Sequence, residues 1–274
     1  MKLKEQPLSF YVLAVFFGLF ILFLYGPLFT IITLSLQGPE GSLTFPMRGF
    51  SFYWLQQVFQ EQAIGSFGEP FQRSLLLGLI VMAISVVIGV SGGLAFRQRF
   101  KGSTPIFYLT IASLIVPSIL VSIGIALLFE VMGWNIAWYS SALAGHLTWT
   151  LPFAFLIMIG VFNRFNSSYE EAAKDLGAGE VQTFWRVVLP LIAPTLIGVG
   201  MISFTLSYDE FTRTALIAGE DNTLPLEIFG MTTNVTSPAI YGLGTITTLF
   251  SFAMIISAVI IFMTFSRKQS NQQH

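Results

Sequence analysis

Uncharged apolar runs long enough to cross a bilayer constrain this chain more than any other feature. A hydrocarbon core about 30 Å thick takes roughly 20 residues of α-helix. Six segments reach that length, near 8–36, 73–96, 104–129, 137–162, 187–208 and 241–265. In lipid every backbone N–H and C=O must be paired within the segment or by a neighbour, so such runs are helices. The expected class is therefore all-α, a polytopic membrane protein with six transmembrane helices. Composition agrees, because 54% apolar residues, 10% charged residues and a mean hydropathy of +0.75 lie far from the soluble globular range. The first segment is too long for a signal-peptide core and no small-residue cleavage site follows it, so it reads as a retained helix. Gly78, Gly89, Gly92, Gly93, Pro117, Pro152 and Pro194 fall inside these runs, where neighbouring helices can re-satisfy the backbone.

Basic residues accumulate on the cytoplasmic side of short loops, which orients the chain. With the N-terminus inside, Lys2, Lys4, Arg97, Arg99, Lys101, Arg164, Lys174, Arg186, Arg267 and Lys268 lie inside, and Arg48, Arg73 and Arg213 lie outside. Both termini are then cytoplasmic, and the longer outer segments are 37–72 and 209–240. In the first of these, Phe52, Leu55 and Phe59 have helical spacing beside Tyr53 and Trp54, which suits a helix lying in the outer interface. Trp134, Trp138 and Tyr139 fit the same aromatic belt.

The long polar passage between two apolar blocks is SSYEEAAKDLGAGEVQTFWRVVLP, residues 167–190, placed in the cytoplasm before the fifth helix. Ser168 followed three residues later by Glu171 has the capping-box pattern, so a short helix is expected from about Tyr169 to Gly177, with Gly177 as the left-handed residue past its end. A further turn or two resumes near Glu180, and Phe184, Trp185 and Val188 would tie that part to the membrane helices. A capped surface helix is the simplest reading of these residues taken alone.

Glu171, Ala172, Ala173, Gly177, Val187, Leu189 and Pro190 fall at the spacing EAA-x3-G-x9-I-x-LP, with valine at the isoleucine position. This resembles the EAA loop of bacterial ATP-binding-cassette importer permeases of type I. The resemblance implies that 167–190 is a coupling element within a single permease domain, 1–274, and that residues 169–185 dock on an ATPase subunit. It further implies a second permease subunit, two ATPase subunits and a periplasmic or lipid-anchored solute-binding protein in a bacterial inner membrane. The chain has no G-x-x-x-x-G-K-[ST] loop, so it is read as a pathway and transmitter rather than an enzyme, with ATP and Mg²⁺ held by the partner ATPase. No catalytic, cofactor-binding or metal-ligating residue and no nucleic-acid partner is expected.

The segment 209–240 carries Asp209, Glu210, Glu220, Asp221 and Glu227 against Arg213 alone, with Tyr208 just ahead. Such a mouth would attract an organic cation by charge focusing and cation–π contact. Acids also collect on the outer side of any positive-inside protein, and the residues alone leave both readings open. The strings EEAAKDLGAGE, SFTLSYDEF and LPLEIFGMTTNVTSPAIYGLGT resemble the second permease subunit of the spermidine/putrescine branch. That resemblance implies a polyamine solute and places Tyr208, Asp209 and Glu210 on the substrate path. Related branches carry iron(III), thiamine, phosphonates or opines. A secondary transporter or a channel is the alternative from another class, although apart from His146 no ionisable group is expected near mid-membrane. His146, roughly 13 Å into the fourth helix, either makes an interhelical hydrogen bond or lines the path. Glu130, roughly 37 Å along the third segment, is expected at the outer surface, and Arg164 snorkels at the inner end of the fourth helix.

Overall fold

A computed structural model describes residues 7–60, 67–98, 100–234 and 237–271. Lys2, Lys4 and Arg99, used above for orientation, lie outside the described residues, as do the side chains of Arg267 and Lys268. The helices are α1 (Leu8–Ser35), α2 (Tyr53–Gln57), α3 (Gly68–Ala95), α4 (Ser103–Ile115), α5 (Ser118–Met132), α6 (Leu143–Arg164), α7 (Ser168–Asp175), α8 (Glu180–Thr183), α9 (Leu189–Tyr208), α10 (Leu224–Asn234) and α11 (Ala239–Asn271). Among the described residues there is no strand, only an isolated antiparallel bridge between Gln37 and Phe50.

Five stretches are long and apolar enough to cross a membrane as continuous helix: Leu8–Ser35, Gly68–Ala95, Trp138–Arg164, Glu180–Tyr208 and Ala239–Ile261. The third expected span, 104–129, is not one rod. It breaks into α4 and α5, with a bend of 107° between them. Pro117 is the cause: it has no N–H to give the preceding turn, and its ring drives Val116 out of the helical region to φ −66°, ψ 127°. Pro152 and Pro194, by contrast, stay inside continuous helices. A bent span also voids the straight-rise estimate for Glu130, which nonetheless lies exposed in the last turn of α5.

Two compact units divide the described residues, one within Met1–Phe67 and Gly230–Phe252, the other within Gly68–Phe229 and Ala253–His274. In the first, α1 is apolar throughout and unburied across its spanning window, as a helix is when hydrocarbon is its solvent. In the loop after it the Trp54 indole N–H donates to Gly38 O at 3.1 Å, and the Tyr241 hydroxyl, from the start of α11, donates to Leu43 O at 2.7 Å. The expected interfacial helix shrinks to α2, with Phe52 ahead of it, Phe59 beyond it and both exposed.

The second unit is built on α3, α6 and α9. Without a hydrophobic drive between helices in lipid, close approach depends on small residues and interhelical hydrogen bonds. Ser85, Gly89 and Gly93 lie one turn apart on α3 and face α6. The Ser85 hydroxyl donates to Thr150 Oγ1 at 3.0 Å. A Cβ on Gly93 would stand 2.7 Å from the Phe162 ring and 3.0 Å from the Met158 carbonyl carbon, so only glycine lets these helices touch. Val90, Ala154, Met158, Phe162, Val188, Ile192 and Val199 form the buried cluster that this approach closes.

Candidate functional site

The polar passage 167–190 folds as α7, a tight turn, α8, a π-helical turn (Phe184–Val188) and then α9. The expected capping box is not formed. The helix starts at Ser168, one residue earlier than expected, so the Ser168 hydroxyl is not in the capping position. Asn166 Oδ1 instead accepts the Ser168 N–H at 3.1 Å, an Asx turn that outcompetes the box. Glu170 and Glu171 occupy the first turn, where the helix dipole favours acids.

The other end matches expectation. Gly177 has φ +84°, its N–H donates to Lys174 O at 2.8 Å, and Ala178 N–H donates to Ala173 O at 3.0 Å. These are the two bonds of a Schellman motif, and they need a left-handed residue at Gly177. The chain then re-enters helix at Glu180 without a break down to Tyr208, so α7 connects to a membrane helix through a short rigid corner.

None of the α7 residues is buried. Glu171 and Ala172 are exposed and Ala173 is half-buried, while Leu176, Val181 and Trp185 stand out as apolar side chains, Leu176 at 90% exposure. Of the three residues expected to tie this element to the bundle, Val188 is buried and Phe184 packs against the same core, but Trp185 points outward. The π-helical turn is the reason, because its extra residue rotates the positions around it relative to a regular α-helix. Trp185 instead lines a shallow depression with Gly179, Glu180, Val181, Gln182 and Arg186. Leu189 is half-buried and Pro190 exposed at the start of α9.

Glu170 has a partner that the sequence pattern does not reveal. Arg97, just past α3, grips its carboxylate with both terminal nitrogens, one of them at 2.9 Å, and its guanidinium carbon lies 5.7 Å and 5.5 Å from the Phe162 and Phe165 ring centres. The hydrogen bond from Arg97 holds the Glu170 carboxyl below its ordinary range against the opposing effect of partial burial, and raises Arg97 in turn.

The acidic segment is less open than its composition suggests. Glu210 is buried and paired: its Oε2 accepts from Arg213 at 3.1 Å and its Oε1 accepts the Arg213 backbone N–H at 2.9 Å. Arg213 is buried too, its guanidinium carbon 4.8 Å from the centre of the Trp149 ring. Asp221 pairs with Arg73 at 2.9 Å, and Glu227 accepts from Asn222 at 2.8 Å. Asp209 and Glu220 are exposed, and neither forms an ion pair among the described residues. Partial burial, then the neighbouring Glu210 charge, raises the Asp209 carboxyl above its ordinary value. Tyr208 stacks on Phe204 at 5.5 Å and meets Phe71 edge-on. The sequence brings Tyr208, Asp209 and Glu210 together as neighbours, but the fold turns Glu210 inward and leaves Asp209 as the accessible acid.

His146 answers the question left open by its depth. It is buried, with Nδ1 2.7 Å from Ser207 Oγ on α9 and Nε2 2.9 Å from Thr214 Oγ1. It is an interhelical tie. The Ser122 hydroxyl donates to Arg213 O at 2.9 Å, Ser141 to Ile217 O at 2.7 Å, and Ser74 Oγ accepts the Leu224 N–H at 2.8 Å. The segment after α9 is thereby pinned to α3, α5 and the start of the fourth span. Arg213, as the lone base among five acids, was the legible signal for a buried pair; the serines carried none.

Residues 85–270 match the family described as binding-protein-dependent transport system inner membrane component. A spermidine/putrescine transport system permease protein, PotC, of Haemophilus influenzae is 27% identical over 241 residues, which are 87% of this chain and 91% of that protein. A putrescine transport system permease protein, PotI, of Escherichia coli is 25% identical over 232 residues, 82% of this chain and 81% of that protein. Among solved structures, a chain of a bacterial ABC transporter involved in the import of the acidic polysaccharide alginate aligns with TM-score 0.68 at 17% identity, covering 94% of this chain and 98% of that one. A chain of the MetNI methionine ABC transporter in inward-facing form aligns with TM-score 0.57 at 15% identity, covering 71% and 93%. At such identities the structures share the fold, and the fold alone does not name a solute.

Proposed function

The chain belongs to the family of binding-protein-dependent transport system inner membrane components, and on that premise we propose that it forms half of a translocation path for a small organic cation, a polyamine such as spermidine or putrescine. It is a multi-pass permease subunit of an ATP-binding-cassette importer of type I, not an enzyme. Its partners in this reading are a second permease subunit, two ATPase subunits that bind ATP and Mg²⁺, and a periplasmic or lipid-anchored solute-binding protein. Both termini face the cytoplasm of a bacterial cell.

The observation that carries the reading is α7. It is a short helix with no buried residue, ending in a Schellman turn at Gly177 and continuing through α8 into a membrane helix. An isolated eight-residue helix has little stability of its own, so a helix held out in this way is suited to a partner surface. Glu171 offers that partner a carboxylate, Ala172 and Ala173 permit close approach, Gly177 sets the corner, and Leu189 and Pro190 begin the helix that carries the motion inward. On the opposite side, Tyr208 and the exposed Asp209 are the substrate-path residues, with Glu210 shaping the loop through Arg213.

The polyamine assignment is supported by two relatives, each named for putrescine, that cover more than four fifths of this chain. Purified permease pair, ATPase and binding protein in proteoliposomes should take up labelled spermidine or putrescine only with internal ATP. ATP-driven uptake of iron(III), thiamine, a phosphonate or an opine without polyamine uptake would reassign the solute. ATP-independent flux through this chain alone would instead favour the channel or secondary-transporter reading.

A further inference from the structure

An eight-residue helix with no fully buried residue needs an outside hold to keep one orientation. Three holds are visible on α7. One is the Schellman corner into α8, and the second is the edge-on contact of Phe165 with Tyr169, 6.4 Å between ring centres. The third is Arg97, which joins α7 to the end of α3. The first two run along the chain and would let α7 rock about its ends. Only the third reaches a helix remote in sequence.

The Arg97 contact is built for direction. A guanidinium is planar, and clasping a carboxylate with two nitrogens fixes distance and plane together, which a lysine ammonium cannot do. The guanidinium lies over the Phe162 and Phe165 rings at the end of α6, so its own plane is fixed before Glu170 arrives. Phe162 is in turn the residue that Gly93 admits against α3. The clasp thus sits directly on the tightest part of the α3–α6 contact. Both side chains are about three-quarters buried, which shields the pair from the solvent screening that weakens surface ion pairs.

We propose that Arg97 is a positioning residue for transport, which through Glu170 fixes the angle of the coupling helix and delivers its displacement to α3 and α6 in addition to α9. This rests on the coupling reading of α7. It assigns the two acids of the first turn different tasks: Glu171 is offered to the ATPase, and Glu170 is held by this chain. Without the clasp, a push on α7 enters the bundle only through the α8 corner, and part of it is absorbed as rocking.

The test uses the complete transporter in proteoliposomes, with Arg97→Gln, Glu170→Gln and the double variant. Three quantities are read: ATPase retained on purification, ATP hydrolysed, and solute imported per ATP. Each single variant should retain the ATPase and import about 2- to 30-fold less solute per ATP, the span of measured coupling changes. The double variant should be no worse than either single, because both remove one interaction. Arg97→Lys should recover part of the ratio by restoring the charge without the two-point contact. Unchanged import per ATP in the single variants overturns the proposal, and so do additive losses in the double variant. Loss of the ATPase in the single variants overturns it as well, since the pair would then be docking surface. Failure of the coupling reading itself looks different: the unaltered chain would retain no ATPase.

Discussion

Removing Arg213 while leaving Glu210 should be among the most damaging single changes in this chain. The two side chains are 5% and 8% exposed and stand 3.1 Å apart. At an effective dielectric of about 20, unit charges at that separation attract by about 5 kcal/mol. Desolvation offsets much of this in the intact pair, so the pair itself need not stabilise the fold. Arg213→Met removes the attraction but keeps the desolvated carboxylate, whose remaining donor is the backbone N–H at 2.9 Å. Orphaning a buried charge in this way costs about 3–5 kcal/mol. At about 2–4 °C per kcal/mol for a domain of this size, the melting temperature should fall by about 6–20 °C. The double variant Arg213→Met with Glu210→Met leaves no charge behind and should recover most of that fall. Thermal unfolding of the purified protein in detergent, followed by tryptophan fluorescence, reads both. Equal destabilisation in the single and double variants would refute the orphaned-charge argument. Glu210→Gln that keeps its melting temperature but loses solute uptake would return Glu210 to the substrate path.

Gly93→Ala gains helix propensity of about 1 kcal/mol but forces a Cβ to within 3.0 Å of the Met158 backbone, and overpacking of about 1–3 kcal/mol should win as a lower melting temperature. Gly177→Val, strained by of order 1 kcal/mol or more at φ +84°, should insert normally yet fail to retain the ATPase or to couple hydrolysis to uptake, and unchanged retention and uptake would contradict the Schellman corner's role. Asp209→Asn should weaken polyamine uptake more than it weakens assembly, measured by initial uptake rate and by co-purification. Glu170 has a carboxyl held below its ordinary value of 4.5, so the stabilisation is complete above that value and is lost only as pH falls through the lower folded value. Solute imported per ATP should therefore be flat from pH 8 to pH 5 as far as this group is concerned; a step near neutrality would show that another group controls the helix.

The length of the apolar runs made the spans legible, and the capping and glycine signals made the short helix of 167–190 legible, its coupling role being what the EAA-loop resemblance implies. Apolar runs count residues against a bilayer, and Gly177 marks the end of α7 locally, because glycine takes the left-handed conformation of a Schellman turn without strain. The break at Pro117 was visible as a residue but not as an outcome, because Pro152 and Pro194 are the same residue with the opposite result. Whether neighbours re-satisfy the freed carbonyls is a property of packing. The Asx turn at Asn166 displaced the capping box for a similar reason: two local patterns competed, and a shift of one residue in the helix start decided between them.

Charge shows the division most plainly. The residues alone determined that acids gather around 209–227 and that bases gather near the ends of the helices, because these are statements about counts on either side of a hydrophobic barrier. Which acids remain available is a different quantity. Glu210 and Glu170 carry the same charge as Asp209 and Glu171, yet each is taken by an arginine: Arg213, buried three residues away, and Arg97, carried to α7 by the α3–α6 contact. Long-range pairing needs two remote points brought within about 4 Å, and only packed helices supply that constraint. Local backbone preference and the bilayer settled where most of the helices lie, and tertiary contact decided which of their side chains stay exposed and which are taken up in holding the fold.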